Sequence, residues 1–523
     1  MAYLDPTAPK AMDVQAASAG LAAHEEAVAA VSDRLKQFYS RRAAFRVYHG
    51  STNSTRAAYK ESGNIVDTSL LNHVLAVDAA KKTALVEPNV PMDKLVEATL
   101  AEGLVPLVVM EFPGITAGGG FSGSAGESSS GRHGLFDSTV NSIEIVTPNG
   151  DVLHASRNER SDLFWGAASA FGTVGIVTLL EIRLQDAAPY VKITHYPARS
   201  FTEASRRLQE QVQDEAIDFV DGIVFSPHST VVCAGSLVDT LPPSTQTKRY
   251  LRRTDPWFYL DIQTRVAKSD SVVVDHVPLK DYLFRWDRGG FWVARYAFRY
   301  FLVPFNRITR YALDRFLHAR VMYHALHMSR LSDSYVIQDV IVPFDKAEAF
   351  YESLHELLHL YPLWLCPVRV RRHGPDAAHG IHADFADPST PEVMLNFGVW
   401  GPGPRSDHQE LVRLNRLIEQ RAHQLGGKKT LYAQTHYTED EFWQTYNRPA
   451  YDAVRVRYNA GHLPSVYDKV KVDEDAKSVV RTHSRVPSSL RDKWPFQGLY
   501  GVYKAWRGGD YLLRKTSKNP AIT

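Results

Sequence analysis

A chain of 523 residues is too long for one ordinary hydrophobic core, so we expect at least two domains. The formal net charge of +2 provides no global field for nucleic acid, and a hydrophobic fraction of 44% is typical of globular proteins. Two cysteines, Cys233 and Cys366, exclude a disulfide framework and fit a reducing compartment. We find neither a signal peptide nor an apolar run long enough to span a bilayer.

The first part of the sequence reads as short helices and hairpins. Apolar residues at helical spacing predict a helix over residues 24–42. Hairpins are predicted over residues 73–90 and 140–156, the second with a Pro-Asn-Gly turn, and a short helix between them ends near Gly103. Ser161 is predicted to cap the next helix, which a glycine turn and a buried strand follow.

The sequence changes in character near residue 188, where longer helices and aromatic segments begin. Residues 333–344 and 392–400 have the apolar composition of buried strands. We therefore place one domain over residues 1–188 and a second over residues 189–475. Residues 476–523 are basic and aromatic, and we interpret them as an appended tail.

A run rich in glycine and serine occupies residues 111–137. Gly118, Gly120 and Gly123 match the Rossmann pattern G-x-G-x-x-G, and Glu144 follows about 20 residues later. A Rossmann loop must open a helix, whereas this run continues into poor helix formers and then a hairpin. A cradle of backbone N–H groups for a pyrophosphate fits better, and a flexible linker is the other alternative. The apolar segments that flank the run favour the cradle.

Several segments together resemble a known flavoprotein superfamily. Residues 86–106, 114–137 and 162–182, with the first hairpin, resemble the FAD-binding domain of the vanillyl-alcohol-oxidase/PCMH superfamily. Residues 335–343, 364–367, 431–443 and 463–470 are similar to landmarks of the Δ24-sterol reductase family. The resemblance covers residues 24–472 and implies an α+β fold, with a two-lobed PCMH-type FAD domain and a mixed α/β substrate (cap) domain.

The resemblance also implies which residues contact FAD. The first flavin loop, the glycine run and a closing turn supply them: His49, Gly50, Ser51, Thr52, Asn53, Thr116, Ala117, Gly118, Gly119, Gly120, Phe121, Ser122, Gly123, Ser124, Ala125, Gly126, Glu127, Ser128, Gly172, Thr173, Gly175 and Ile176. Some relatives link the flavin covalently to a histidine near the position of His49. We expect noncovalent FAD here, because the resemblance to sterol reductases implies it.

The function implied by the resemblance is reduction of an alkene in the aliphatic tail of a sterol or in a prenyl substrate, with NADPH as electron donor. An isolated alkene has no carbonyl to accept charge, so a general acid must protonate it before hydride arrives. Candidate acids are Glu111, Asp339, Tyr432, His436 and Tyr437, and packing or hydrogen bonding is the alternative explanation for each. An FAD oxidase or dehydrogenase acting on an alcohol or other small molecule is the alternative function.

Two further patterns bear on partners. Residues 355–359 match the zinc motif H-E-x-x-H, but their leucine-rich context favours an ordinary amphipathic helix, so we expect no metal. Residues 285–320 and the tail interleave arginine or lysine with aromatic residues. This pattern suits peripheral contact with an anionic membrane, on the cytoplasmic side of the endoplasmic reticulum. The alternative is packing of both segments on the protein itself. We expect no nucleic-acid partner.

Overall fold

The computed structural model describes residues 11–49, 62–267, 271–329, 331–374, 376–403, 408–472 and 494–508. The elements up to residue 186 are, in sequence order, α1 (Ala11–Ser40), β1 (Arg46–Tyr48), β2 (Ile65–Asp67), β3 (Val74–Asp78), β4 (Thr83–Val86), α2 (Met92–Leu100), β5 (Leu104–Pro106), α3 (Ala117–Ser122), α4 (Ser130–His133), β6 (Val140–Val146), β7 (Val152–Ser156), α5 (Ser161–Ala167) and β8 (Ile176–Asp186).

These elements build a six-stranded antiparallel sheet with the order β3-β4-β8-β6-β7, and β5 pairs with β8 off this path. Both predicted hairpins are confirmed, because β3 pairs with β4 and β6 pairs with β7 in antiparallel register. Gly150 adopts φ +90° in the second turn, a conformation that favours glycine. Strand β8 lies between β4 and β6, as a buried strand should.

A buried histidine joins α1 to this sheet. His24 is 4% exposed, and its Nδ1 and Nε2 lie 2.8 Å from Glu87 and 3.1 Å from Glu144. Burial alone would lower the pKa of His24, but the hydrogen bonds to both carboxylates raise it to about 9. The helix predicted over residues 24–42 is confirmed as far as Ser40, where α1 ends. The contacts of His24 with two carboxylates fix the position of this helix on the sheet.

The polypeptide then enters a second sheet. Its elements are β9 (Tyr190–Ala198), α6 (Phe201–Gln213), β10 (Phe219–Ser226), β11 (Ser229–Val238), α7 (Phe258–Val266), β12 (Val273–Pro278), α8 (Leu279–Leu283), α9 (Val293–Tyr300), α10 (Arg307–Leu313), α11 (Ala319–Ser329), β13 (Tyr335–Pro343), α12 (Ala347–Leu358), β14 (Leu363–Arg369), β15 (Val393–Pro402), α13 (His408–Gln424) and β16 (Lys428–Lys429). The eight strands are antiparallel in the order β12-β9-β11-β10-β14-β15-β13-β16.

The alternation of side chains gives the central strands of this sheet two different faces. Val340, Leu365 and Phe397 belong to a core that includes residues of helices α6, α12 and α13. On the opposite face, Asp339 and Trp364 line a cavity shared with the first sheet. Because side chains alternate between the two faces of a strand, Asp339 of the apolar strand β13 lies beside the cavity while Val340 lies in the core.

After β16 the polypeptide returns to the first unit through α14 (Glu439–Thr445), α15 (Arg448–Arg457) and α16 (Val466–Val470). The Tyr451 hydroxyl donates to Thr173 Oγ1 at 2.7 Å, and the Tyr458 hydroxyl donates to Asp162 Oδ1 at 2.9 Å. Residues 189–475 therefore do not all pack with the second sheet.

The aromatic residues of the segment over residues 285–320 are mostly core residues. Trp286, Phe291 and Trp292 are 1%, 4% and 0% exposed. Arg288 is also buried and donates to Asp314 at 2.8 Å. The prediction that this segment meets a bilayer is therefore wrong for these side chains, because they pack inside the protein and the arginine is paired there.

Part of the predicted tail is a docked helix, α17 (Phe496–Gly508). Gly501 lies so close to α11 that a Cβ there would stand 2.3 Å from the Ala325 carbonyl oxygen. Gln497 Nε2 donates to the Ser329 carbonyl at 2.8 Å. Residues 476–493 and 509–523 of the tail lie outside the described ranges. Within those ranges, no helix is both long and apolar enough to cross a membrane.

Candidate active site

A cavity of about 470 Å³ lies between the glycine run of the first unit and strands β13, β14 and β15 of the second sheet. This volume is within the usual range for small-molecule sites, which are mostly apolar with a few placed polar groups. One part of the wall is glycine-rich backbone, and another carries aromatic side chains and two carboxyl groups. The glycine-rich backbone and Glu111 belong to the first unit, whereas Asp339 and Trp364 belong to the second sheet, so the site depends on how the two pack together.

The glycine run contains a short helix where the sequence predicted a loop. The Thr116 hydroxyl caps α3 by accepting from the Gly119 N–H at 3.1 Å. Ala117 and Phe121 are fully buried and anchor the helix to the core. The loop prediction was wrong for residues 117–122, because a capping threonine and two buried side chains outweigh the low helix propensity of glycine.

The glycines of this run serve two different purposes. A Cβ on Gly118 would stand 2.6 Å from the Pro88 side chain, and one on Gly120 would stand 2.5 Å from Met110. Those two positions need glycine for close packing. Gly119 lines the cavity, and a Cβ there would meet only Thr116 Oγ1, at 3.0 Å. A side chain at position 119 would therefore enter ligand space, as expected for a cradle.

A second backbone segment closes the cavity near the glycine run. Phe171 and Gly172 have positive φ angles of +51° and +70°. A positive φ is strained for phenylalanine but not for glycine. Lys469 Nζ donates to the Phe171 carbonyl at 2.9 Å and also lines the cavity, as does Arg46. Two cationic side chains beside glycine-rich backbone provide an environment suited to a pyrophosphate.

Most of the residues expected to contact FAD lie in the cavity wall. These are His49, Thr116, Gly118, Gly119, Ser122, Gly123, Ser124, Ala125, Gly126, Gly172, Gly175 and Ile176. Others expected there are not lining residues, namely Ala117, Gly120, Phe121, Glu127, Ser128 and Thr173. The Glu127 carboxylate instead accepts from the Ser129 N–H at 2.8 Å, so it serves the local turn. Gly50, Ser51, Thr52 and Asn53 lie outside the described residues.

Asp339 is the most heavily hydrogen-bonded carboxyl group of the cavity. It accepts from Asn396 Nδ2 at 2.7 Å, from Trp400 Nε1 at 3.2 Å and from the Tyr432 hydroxyl. Burial raises the pKa of Asp339 to about 6, although these hydrogen bonds act to lower it. The group therefore changes protonation state near physiological pH, as a general acid or base requires.

Glu111 is a second carboxyl group in the same wall, at the start of the glycine run. It is 7% exposed, and burial raises its pKa well above the ordinary value. The negative charges of Glu127 and Asp339 raise it further. Like charges in a low dielectric cannot all ionise, so the raised pKa favours the protonated form of Glu111.

The wall around these carboxyl groups is apolar and aromatic. Phe291 packs against Trp400 with ring centroids 4.4 Å apart and against Trp364 at 5.3 Å. Tyr323 of α11 lines the cavity beside them and contacts Phe112 at 5.3 Å. Such a wall excludes water and suits an extended hydrocarbon substrate.

Two of the predicted acids lie away from the cavity wall. The Tyr437 hydroxyl is buried and donates to the Glu419 carbonyl at 2.8 Å, so it has a structural partner. The backbone N–H of His436 donates to the Glu419 carboxylate. Tyr432, Glu111 and Asp339 do line the cavity.

Sequence reasoning missed the roles of several lining residues. Lys469 lies in the segment over residues 463–470, whose similarity to the family was the only available signal. Asn396 and Trp400 are supplied by β15, and no local pattern indicated that they converge on Asp339.

The zinc-like motif is part of an ordinary helix. His355 lies in the last turn of α12 and is hydrogen-bonded to the Tyr361 hydroxyl at 2.9 Å, and His359 ends the helix with φ +46°. In the part of the protein that the structure describes, no group of three or more potential metal ligands occurs.

Comparisons with known proteins agree with this site. A family profile described as "FAD binding domain" matches residues 21–156. The human Delta(24)-sterol reductase is 27% identical over 427 residues, covering 79% of this chain and 78% of that protein. The Arabidopsis thaliana Delta(24)-sterol reductase is 29% identical over 457 residues, covering 80% and 78%. A rice cytokinin dehydrogenase 4 is 32% identical over 129 residues, or 24% of each protein.

The protein is similar to these Delta(24)-sterol reductases over about four fifths of its sequence, and it is an FAD-dependent oxidoreductase with an α+β fold. The similarity to cytokinin dehydrogenase is confined to about a quarter of the sequence, whereas the similarity to the sterol reductases extends well beyond the FAD-binding region.

Proposed function

We propose that this protein reduces an alkene in the aliphatic tail of a sterol, with NADPH supplying the electrons through noncovalently bound FAD. The observation that carries the proposal is a single cavity that joins a glycine-rich, cationic end to an aromatic wall with two buried carboxyl groups. The similarity to Delta(24)-sterol reductases over about four fifths of the sequence supports the substrate class.

FAD would be held at the glycine-rich end. Gly119 leaves the space that a pyrophosphate needs, while Lys469 and Arg46 provide compensating charge. When bound, reduced FAD supplies the hydride. Two observations support binding of FAD at this end. Gly119 lines the cavity without a side chain, and the FAD-binding family profile matches residues 21–156. We also propose that residues 1–188 form the FAD domain and residues 189–475 supply most of the substrate side.

The proton would come from Asp339 through Tyr432. The Tyr432 hydroxyl lines the cavity and is hydrogen-bonded to Asp339, so protonated Asp339 can replace the proton that Tyr432 gives to the alkene. The carbon that gains this proton leaves a cationic neighbour, which receives the hydride. Burial raises the pKa of Glu111 and so favours its neutral form, which lessens the negative charge that would oppose ionisation of Asp339.

The proposal is tested by a screen of sterol and polyprenyl alkenes with the purified enzyme, FAD and NADPH under anaerobic conditions. We expect a Δ24 sterol to gain two hydrogens, measured by mass spectrometry. If small alcohols are oxidised instead and no alkene is reduced, the protein is an oxidase or dehydrogenase and the proposal is wrong.

The proposed substrate also bears on where the enzyme works. Sterols partition into lipid, so we propose that the protein meets its substrate at a membrane surface, on the cytoplasmic side of the endoplasmic reticulum. Comparison of sterol delivered in vesicles with sterol delivered by cyclodextrin measures whether such a surface matters.

A further inference from the structure

The C-terminal helix α17 exposes an apolar face although it is docked on the protein. Phe496, Leu499, Tyr503 and Trp506 are 54%, 50%, 48% and 50% exposed. Their spacing of three, four and three residues places them on one side of the helix. A helix that buries one side on α11 and leaves large hydrophobic residues on another is typical of a binding surface.

The opposite side of α17 is built to lie close to the protein. Small residues face the supporting helices, because a Cβ on Gly498 would stand 2.5 Å from Tyr300 and one on Gly501 would meet α11. Trp494 Nε1 donates to the Tyr300 carbonyl at 2.6 Å, which brings Trp494 near Leu302. Trp494 and Leu302 are 55% and 74% exposed and extend the apolar surface beyond the helix.

The two stretches that form this surface carry charges of one sign. Residues 289–313 and 494–508 contain no Asp or Glu. Arg295, Arg299, Arg307 and Arg507 lie in these stretches and are exposed. Exposed tryptophan and tyrosine rings with a basic border complement the interface of a bilayer that contains anionic lipid.

We propose that this apolar surface, formed by Leu302, Trp494 and the exposed face of α17, binds an anionic membrane and orients the cavity toward it. Helix α11 connects the surface with the cavity, since it contacts α17 at Ala325 and lines the cavity with Tyr323. The link to catalysis rests on the proposed sterol substrate, whereas membrane binding itself does not.

The test is co-sedimentation of the full-length protein with vesicles of phosphatidylcholine, with and without phosphatidylserine. The variant Phe496→Glu/Leu499→Glu/Trp506→Glu should lose binding by about tenfold or more, and salt should weaken binding of the wild type. Leu302 lies outside α17, so Leu302→Glu tests the surface even if the α17 substitutions disturb the docking of that helix. This variant should also weaken membrane binding. The matched control Val272→Glu/Val274→Glu/Val456→Glu changes exposed apolar residues elsewhere and should bind normally.

A second readout separates this inference from the proposed function. The triple α17 variant should reduce sterol delivered by cyclodextrin at the wild-type rate and lose activity toward sterol in vesicles. Wild-type protein that fails to sediment at low salt, or α17 and Leu302 variants that sediment normally, would overturn the membrane surface. Light scattering that shows a dimer dispersed by the triple variant, with unchanged vesicle binding, would assign the surface to a second copy instead.

Discussion

Asp339 combines burial with hydrogen bonds from Asn396, Trp400 and Tyr432 in a wall that otherwise excludes water. Its pKa of about 6 means that the protonated form is depleted as pH rises through that value. Glu111 lies in the same cavity with a pKa that burial raises well above normal. The pKa values of both carboxyl groups therefore depend on burial in the apolar wall as well as on the ordinary acidity of aspartate and glutamate.

Replacing the proposed proton donors should slow alkene reduction without affecting flavin reduction. Asp339→Asn and Tyr432→Phe should each lower the rate of sterol reduction by about 100-fold, since each removes one part of the acid. Reduction of the flavin by NADPH, followed by stopped-flow absorbance, should be unchanged. The wild-type rate should fall as pH rises through about 6.

The exposed carboxylate Asp345, just beyond the end of β13, provides the control, and Asp345→Asn should behave as the wild type. Equal loss of flavin reduction in the Asp339 and Tyr432 variants would contradict a role specific to the proton.

Gly119 tests the cradle at a single position. Gly119→Asp should abolish FAD retention, because a carboxylate would project toward the proposed pyrophosphate. Gly119→Ala adds the same Cβ without the charge, at 3.0 Å from Thr116 Oγ1, and should retain FAD more weakly than the wild type. Flavin absorbance after gel filtration measures both. Normal FAD retention by Gly119→Asp would show that the cofactor lies elsewhere.

Glu111 should leave a signature in the pH dependence of stability. The pKa of Glu111 in the folded protein lies above the unfolded value of about 4.3. The wild type therefore loses stability as the pH rises from about 4.3 through the folded pKa, because the unfolded state releases the proton first. The slope can reach about 1.4 kcal/mol per pH unit. Glu111→Gln removes this loss, and its melting temperature should therefore rise relative to the wild type between pH 5 and pH 8.

Glu97 has a lowered pKa, so Glu97→Gln should not reproduce this relative gain. A melting-temperature difference between Glu111→Gln and the wild type that does not change with pH would show that Glu111 is not protonated in the folded protein.

At the scale of elements, the sequence identified structures whose signals are local. The hairpin turn at Gly150 and the helical spacing of Val28, Val31 and Leu35 each depend on a few adjacent residues. The segment with Trp286 and Phe291 was misread because a basic, aromatic pattern is the same for a membrane surface and for a core with paired arginines. Only the distant partner, such as Asp314 for Arg288, distinguishes the two.

Helix α1 should depend on His24 in a pH-dependent manner. Its folded pKa of about 9 exceeds the unfolded value of about 6.5, so its stabilisation is complete below pH 6.5 and is lost as pH rises through 9. His24→Ala leaves the buried Glu87 and Glu144 without this partner and should cost about 3 kcal/mol of unfolding free energy at pH 6.

Denaturant unfolding at pH 6 and pH 9.5 measures this effect, and the deficit of His24→Ala should shrink at the higher pH. His154 approaches the same Glu144 at 3.8 Å but is 70% exposed, so His154→Ala should change stability little. A deficit in His24→Ala that is the same at both pH values would contradict a charged His24.

At the scale of the whole molecule, the site exists only where the two sheets meet. The glycine run and the carboxyl group on β13 are more than 200 residues apart in sequence, at Gly119 and Asp339. Family resemblance indicated both, but the residues themselves gave no distance between them. Lys469 and Trp400 illustrate the limit, since each becomes a lining residue through long-range packing that no local pattern encodes.

The central claim is that electrons stored on the flavin pass to a sterol alkene. The most direct measurement is an anaerobic single turnover, in which the enzyme is reduced with one equivalent of NADPH and then mixed with a Δ24 sterol. We expect the oxidised flavin absorbance to return, with one reduced sterol formed for each flavin. A flavin that stays reduced with the sterol, and is reoxidised only when oxygen is admitted, would contradict the account.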